Sequence, residues 1–215
     1  MNRIRRIVML CTGLISMMIL FYPVSANRTE FTGFLSQLKN DGVIPSTEGN
    51  LISFGDFSDS YTNMGSVRWY GITEAENFVL SSDITWLSAS PTPNGPVSGC
   101  GFIFGADTAS KGYLMSSMRM NGSVFLSGSK FGAPLSYGSH FVMNPTMGGK
   151  VRMTLVVNGE NTSVYINDSR VLNRSNISIQ GNEIGFAVLS GTNKDFGTQC
   201  TFENNFLYTW DTPEQ

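Results

Sequence analysis

Glu74 and Glu76, separated by Ala75, are the only acidic residues in this 215-residue chain at i, i+2 spacing, which puts two carboxylates on one side of a β-strand. Glycoside hydrolysis needs such a convergence, with one carboxylic acid to protonate the leaving group and one carboxylate as nucleophile or base. The pair falls at the start of a strand, where a solvated turn explains it equally well. Asp83, Asp168, Glu183 and Glu203 are scattered singly, so no strand carries a catalytic row. His140 is the sole histidine, in a segment that reads as a loop, flanked by Ser139 and Phe141 with no partnering motif for nucleophilic catalysis. One histidine and a few cysteines do not furnish a tetrahedral zinc site. Asp56 and Asp59, or Asp107 beside Thr108, could offer hard oxygens to calcium, but neither segment has the dense oxygen spacing of a dedicated loop. No cofactor is expected. What remains is recognition by aromatic rings: a Trp or Tyr can cover the apolar face of a sugar while nearby amides take its hydroxyls. Trp69 and Tyr70 are adjacent and must point to opposite faces of a strand, so one of them stands outward or near a rim. They are the candidate ligand-binding residues, whereas Trp86 and Trp210 share phase with core residues.

The elements that would hold these rings are strands. Charged residues make up 14% of the chain and Gly, Ser, Thr and Asn are abundant, a strand-and-turn composition in which long helices are not expected. Arg3, Arg5 and Arg6 precede an apolar run from Ile7 to Val24, and Val24-Ser25-Ala26 fits a signal peptidase site, so residues 1–26 read as a cleaved export signal. The competing reading is an uncleaved anchor. The net charge is −2 with no basic cluster beyond the signal, which excludes the electrostatic footprint of nucleic-acid binding. Export makes Cys100 and Cys200 the expected disulfide, since an oxidising compartment favours pairing. Cys11 belongs to the signal.

Residues 27–65 read as a short helix and lead-in segment. Thr29 caps a helix with Phe31, Phe34, Leu35 and Leu38 at helical spacing, ending at Asn40-Asp41-Gly42. From Ser66 onward the period is two. Phe78, Leu80, Ile84 and Trp86 share one strand face, Cys100, Phe102 and Phe104 another, and Val151, Met153, Leu155 and Val157 the clearest of all. Asn121-Gly122 predicts a hairpin with a type I′ turn; Asn158 to Asn161 and Asn167-Asp168 predict two further turns of a meander. Residues 131–149 read as loop. Cys200, Phe202, Phe206, Tyr208 and Trp210 alternate to the C-terminus. About ten short strands with such turns predict an all-β, two-sheet antiparallel jelly-roll sandwich over residues 66–215.

The run Met153-Thr154-Leu155-Val156-Val157-Asn158-Gly159, followed by Val164-Tyr165-Ile166-Asn167, resembles the paired strands of laminin G-like and concanavalin A-like lectin/glucanase domains. Glu76 to Leu80, Ser98 to Phe104, Leu189 to Asn193 and Phe196 to Phe202 extend the likeness toward exported bacterial relatives of the 3-keto-disaccharide hydrolase domain. The resemblance spans Ser66 to Trp210. It implies a jelly roll, and its two cysteine motifs suggest a shared disulfide. For function it is an analogy. Members bind carbohydrate or serve structural roles, so the expectation is a secreted, non-catalytic domain that binds carbohydrate or another cell-surface ligand. A glycoside hydrolase and a purely structural envelope domain are the alternatives.

Overall fold

The computed structural model describes residues 27–107, 112–179 and 181–211; the expected signal, residues 1–26, lies outside them. Residues 27–47 and the chain from Glu48 onward fall into two compact units. In the first, a helix covers residues 27–40, with Phe31, Phe34, Leu35 and Leu38 all buried as their spacing predicts. Thr29 lies within it rather than capping it. Gly42, at φ +69°, closes the helix: the Val43 amide donates to the Leu38 carbonyl and the Gly42 amide to that of Lys39. This paired closure needs a left-handed residue, which glycine adopts without a steric penalty.

The second unit is a sandwich of two antiparallel sheets. Its strands are β1 (Asn50–Phe54), β2 (Phe57–Tyr61), β3 (Ser66–Glu74), β4 (Phe78–Ser88), β5 (Gly99–Asp107), β6 (Gly112–Arg119) and β7 (Ser123–Lys130). They continue as β8 (Ala133–Phe141), β9 (Gly148–Asn158), β10 (Asn161–Ile166), β11 (Ser169–Arg174), β12 (Glu183–Ser190) and β13 (Thr198–Thr209). A seven-stranded sheet runs β1-β13-β4-β9-β10-β11 with β2 also on β13, and a six-stranded sheet runs β3-β12-β5-β6-β7-β8. The two inner faces share one core: Phe78, Leu80, Ile84 and Met153 from the first meet Phe102, Phe104, Val124 and Phe186 from the second. The jelly-roll class is as predicted.

Cys100 on β5 and Cys200 on β13 form a disulfide between the sheets, with Cα atoms 5.8 Å apart. It closes a loop of sequence separation 100, which in the chain-entropy model stabilises the fold by up to ~4–5 kcal/mol.

Four local readings change. The sheets begin before Ser66, because β1 and β2 both hydrogen-bond to β13. Residues 133–141, read as loop, are strand β8, whose mostly exposed, polar sequence hides the alternation that burial imprints on other strands. At Asn121-Gly122, positive φ falls on Gly122 (+83°) and its amide donates to Arg119, so the hairpin closes with one left-handed residue rather than a type I′ pair. The two-residue left-handed turn occurs instead at Asn167 and Asp168, φ +48° and +63°.

The fourth change is in β13, where a bulge between Glu203 and Phe206 shifts the phase. Leu207 therefore joins Cys200 and Phe202 in the shared core, and Phe206 and Tyr208 turn to the opposite face. Asn204 takes φ +52° at the bulge. The buried Asn205 amide donates to the carbonyls of Gly55 (2.9 Å) and Phe202 (3.1 Å) and accepts from Ser82 Oγ (2.6 Å), which keeps this polar insertion satisfied.

Candidate functional site

Alternation gives the six-stranded sheet a second face, turned away from the shared core, and its residues can be read off the strand register. Trp69 on β3 lies opposite Ala187 on β12, Ala187 opposite Gly101 on β5, Gly101 opposite Ser117 on β6, and Ser117 opposite Phe125 on β7. The row therefore has an aromatic ring at each end and three small residues between them. Four inter-strand steps of about 4.8 Å separate Trp69 from Phe125, a span of roughly 19 Å. Beside this row run Leu189, Gly99 and Arg119; on its other side run Gly185, Ile103 and Met115.

The small centre is enforced sterically. A Cβ at Gly101 would stand 2.1 Å from the Ser116 carbonyl oxygen and 2.6 Å from Ser117 Cα, and one at Gly99 would stand 2.1 Å from the Met118 carbonyl oxygen. Both collisions are with backbone, which cannot move aside without breaking the ladder, so neither of these two positions can carry a side chain. Ile103, Ala106, Met115, Ala187 and Leu189 form a small buried apolar cluster here, with Val67, Trp69 and Tyr113 packed against it. Trp69, Tyr113 and Phe125 are half-buried, forming rims above a screened floor.

Arg119 brings charge to this floor. Its Nε donates to Ser117 Oγ (2.8 Å), its Nη1 donates to the Pro96 carbonyl (3.3 Å) in the 3-10 turn Gly95–Val97, and the guanidinium carbon lies 5.4 Å from the centre of the Phe125 ring. Burial pushes its pKa down to about 10, so it remains a cation at neutral pH. No pattern in the sequence marks Arg119; its two neighbours in the chain, Met118 and Met120, are core residues.

Tyr70 is on the opposite face of β3 from Trp69, and the structure does not bring the two rings together. It is exposed at the rim between the sheets, its ring 5.0 Å from that of Phe57. Arg68 lies over the rings of Tyr61 (4.8 Å) and Tyr70 (5.8 Å) and pairs with Asp59 at 2.7 Å, while also donating to the Ser60 carbonyl. Desolvation, and then the Asp59 carboxylate, push the Tyr70 phenol above its ordinary pKa. Asp59, considered above for calcium, is thus engaged by Arg68. Among the described residues no three His, Cys, Asp or Glu side chains gather into a metal site.

The carboxylates fall at one end of the sandwich. Glu74 accepts from Asn182 Nδ2 (3.1 Å). Glu76 and Glu160 line the same open cleft of about 550 Å³, with Asn77 and Asn182 also on its wall. Glu74, Glu76 and Asp211 line a recess of about 260 Å³. Glu74, Glu76 and Glu160 are exposed. The partner that folding gives Glu76 is therefore Glu160, on the β9–β10 turn, rather than Glu74 alone. His140 lies on β8, exposed, opposite Val124.

The fold is shared with proteins of known structure. The chain matches a carbohydrate-binding module from Bacillus subtilis at a TM-score of 0.51 and 16% identity, over 76% of this chain and 89% of the module. It matches a fructosyltransferase from A. japonicus at 0.53 and 17%, over 78% of this chain and 28% of the enzyme, so it spans little more than a quarter of that protein. A Bacillus subtilis protein of unknown function with a galectin-like fold matches at 0.50 and 12%, over 75% of this chain and 89% of that one. At such identities the likeness is one of fold. No protein-family model and no curated protein matches the sequence.

Proposed function

We propose that this chain is an exported, non-catalytic module that binds carbohydrate on the face of the six-stranded sheet turned away from the core. The observation that carries the reading is the row Trp69, Ala187, Gly101, Ser117, Phe125: half-buried rings at both ends, a buried floor of small residues between them, and an extent of roughly 19 Å suited to several sugar units. An aromatic rim supplies the apolar cover a pyranose face needs, and the Arg119 guanidinium, held by Ser117, supplies hydrogen-bond donors for its hydroxyls. The inter-sheet disulfide and the N-terminal export pattern support a location outside the cytoplasm. Among the described residues no helix is long and apolar enough to cross a membrane.

Calorimetry or affinity electrophoresis against a panel of soluble polysaccharides tests the reading. A ligand of the panel should bind the native chain, and Trp69→Ala should weaken it at least tenfold, ~1.4 kcal/mol, as the loss of an aromatic anchor does. Binding that is unchanged in Trp69→Ala would move the site elsewhere. A hydrolase reading draws on a different observation, the shared cleft of Glu76 and Glu160. It requires turnover of a glycoside that disappears in both Glu76→Gln and Glu160→Gln.

A further inference from the structure

Arg119 is a cation only 7% exposed, and among the described residues no carboxylate pairs with it. The groups that meet it are uncharged at neutral pH: the Ser117 hydroxyl, the Pro96 carbonyl and the Phe125 ring, with the Tyr113 phenol near enough to act on its charge. Nη2 has no hydrogen-bond partner among the described residues. Burying a guanidinium in neutral surroundings is unfavourable unless an anion compensates it, and protein interiors ordinarily supply one. This chain does so elsewhere. Arg68 is held by Asp59 at 2.7 Å and Arg152 by Asp83 at 3.1 Å, although both are more exposed than Arg119.

The unpaired cation also lies where a ligand would. Arg119 stands opposite Gly99, where a Cβ would collide with the backbone of β6, so no side chain of β5 competes for the space. Its hydrogen bond to Ser117 draws the guanidinium back along the strand toward the Trp69 to Phe125 row. The Phe125 ring and the Pro96 carbonyl fix its orientation, leaving Nη2 with both of its hydrogens for an incoming oxyanion.

We propose that the ligand of this face is an anionic carbohydrate, with an oxyanion on the sugar, a uronate carboxylate or a sulfate ester, completing the charge of Arg119. The proposal rests on the carbohydrate reading above and adds the charge of the ligand to it. Arg119 is then a specificity determinant: Trp69 contributes affinity for sugar rings in general, and Arg119 selects those that carry negative charge.

The test compares polygalacturonate, its fully methyl-esterified neutral form and a sulfated galactan at fixed ionic strength, using the native chain, Arg119→Lys, Arg119→Gln and Trp69→Ala. At least one acidic polymer should bind about tenfold or more tightly than the esterified one, as expected for a charge-assisted hydrogen bond. That preference should shrink as salt is raised, and it should vanish in Arg119→Gln while Arg119→Lys retains part of it. Trp69→Ala should weaken acidic and neutral polymers alike. Tighter binding of the galactan than of polygalacturonate assigns the oxyanion as a sulfate ester; the reverse order assigns a carboxylate. Equal binding of acidic and neutral polymers, or a preference that survives Arg119→Gln, overturns the proposal while leaving the carbohydrate reading in place. Failure to bind any of the three polymers overturns both. Far-UV circular dichroism and melting without ligand check folding: Arg119→Gln should melt no lower than the native chain, since it removes an uncompensated charge. If it does not fold, Arg119→Lys carries the comparison, and an acidic preference unchanged by that substitution overturns the proposal.

Discussion

The two sheets carry charge on their outward faces in opposite ways. On the seven-stranded sheet, Asp83 accepts from Arg152 Nε (3.1 Å) and Asn204 Nδ2 (2.7 Å), and Lys150 pairs with Glu203 at 2.7 Å across neighbouring strands. These four charges are answered within the chain, which is what a face needs when it only has to be stable in water. On the six-stranded sheet the centre is stripped to glycine, alanine and serine, the rims are aromatic, and the cation at the floor has only neutral company among the described residues. Completed electrostatics mark a structural surface. On the six-stranded sheet the one buried cation of the floor, Arg119, is left without a carboxylate among the described residues.

The contrast can be broken most forcefully by filling the floor. Gly101→Val should destabilise the domain by about 3 kcal/mol or more, because its Cβ meets the Ser116 and Ser117 backbone. Chemical denaturation reads this directly. A Gly101→Val domain as stable as the native one would mean that the glycine floor is not sterically required.

A smaller effect is expected on the other face. Asp83→Asn removes the charge facing Arg152, whose side chain is 21% exposed, and should cost about 1–2 kcal/mol in the same assay. Set beside Arg119→Gln, it measures the difference in kind between a cation paired by the chain and one that is not. Loss of similar size from both substitutions in the absence of ligand would erase the distinction.

The smallest change is expected from Glu203→Gln. With the Lys150 and Glu203 side chains 51% and 41% exposed, the pair contributes less than ~1 kcal/mol. The hydrogen bond to Glu203 raises the Lys150 pKa above its ordinary 10.5. Its stabilisation is therefore fully present below that ordinary value and lost as pH rises through the raised one. Native and Glu203→Gln stabilities, measured by denaturation from neutral pH upward, should converge on the alkaline side. A gap that stays constant there would show that the charge of Lys150 is not its source.

The sandwich itself was legible because burial on one face imposes a period of two, and strands such as β4 and β9 display it directly. Strand β8 did not, since its residues are mostly exposed and nothing selects an alternating pattern. In β13 the alternation was visible but ran past a bulge, so Phe206 and Tyr208 were given the phase that belongs to Leu207. One inserted residue reverses every side chain beyond it, and no local composition announces the insertion.

The site was legible only in part. Adjacency on a strand is enough to send Trp69 and Tyr70 to opposite faces, and it did. Which of them shares a surface with Arg119 and Phe125 depends on β12, β5 and β6 lying between β3 and β7, an order set by pairing across more than a hundred residues of chain.

From sequence alone come the properties that each residue carries with it: strand periodicity, turn-forming residues, a disulfide-competent cysteine pair, an export pattern and the lack of a catalytic carboxylate row. Tertiary structure alone decided which glycines lie side by side, which cations receive a carboxylate and that the buried Arg119 has none among the described residues. Those are relations between residues distant in the chain, and only the registered closure of two sheets brings them within bonding distance.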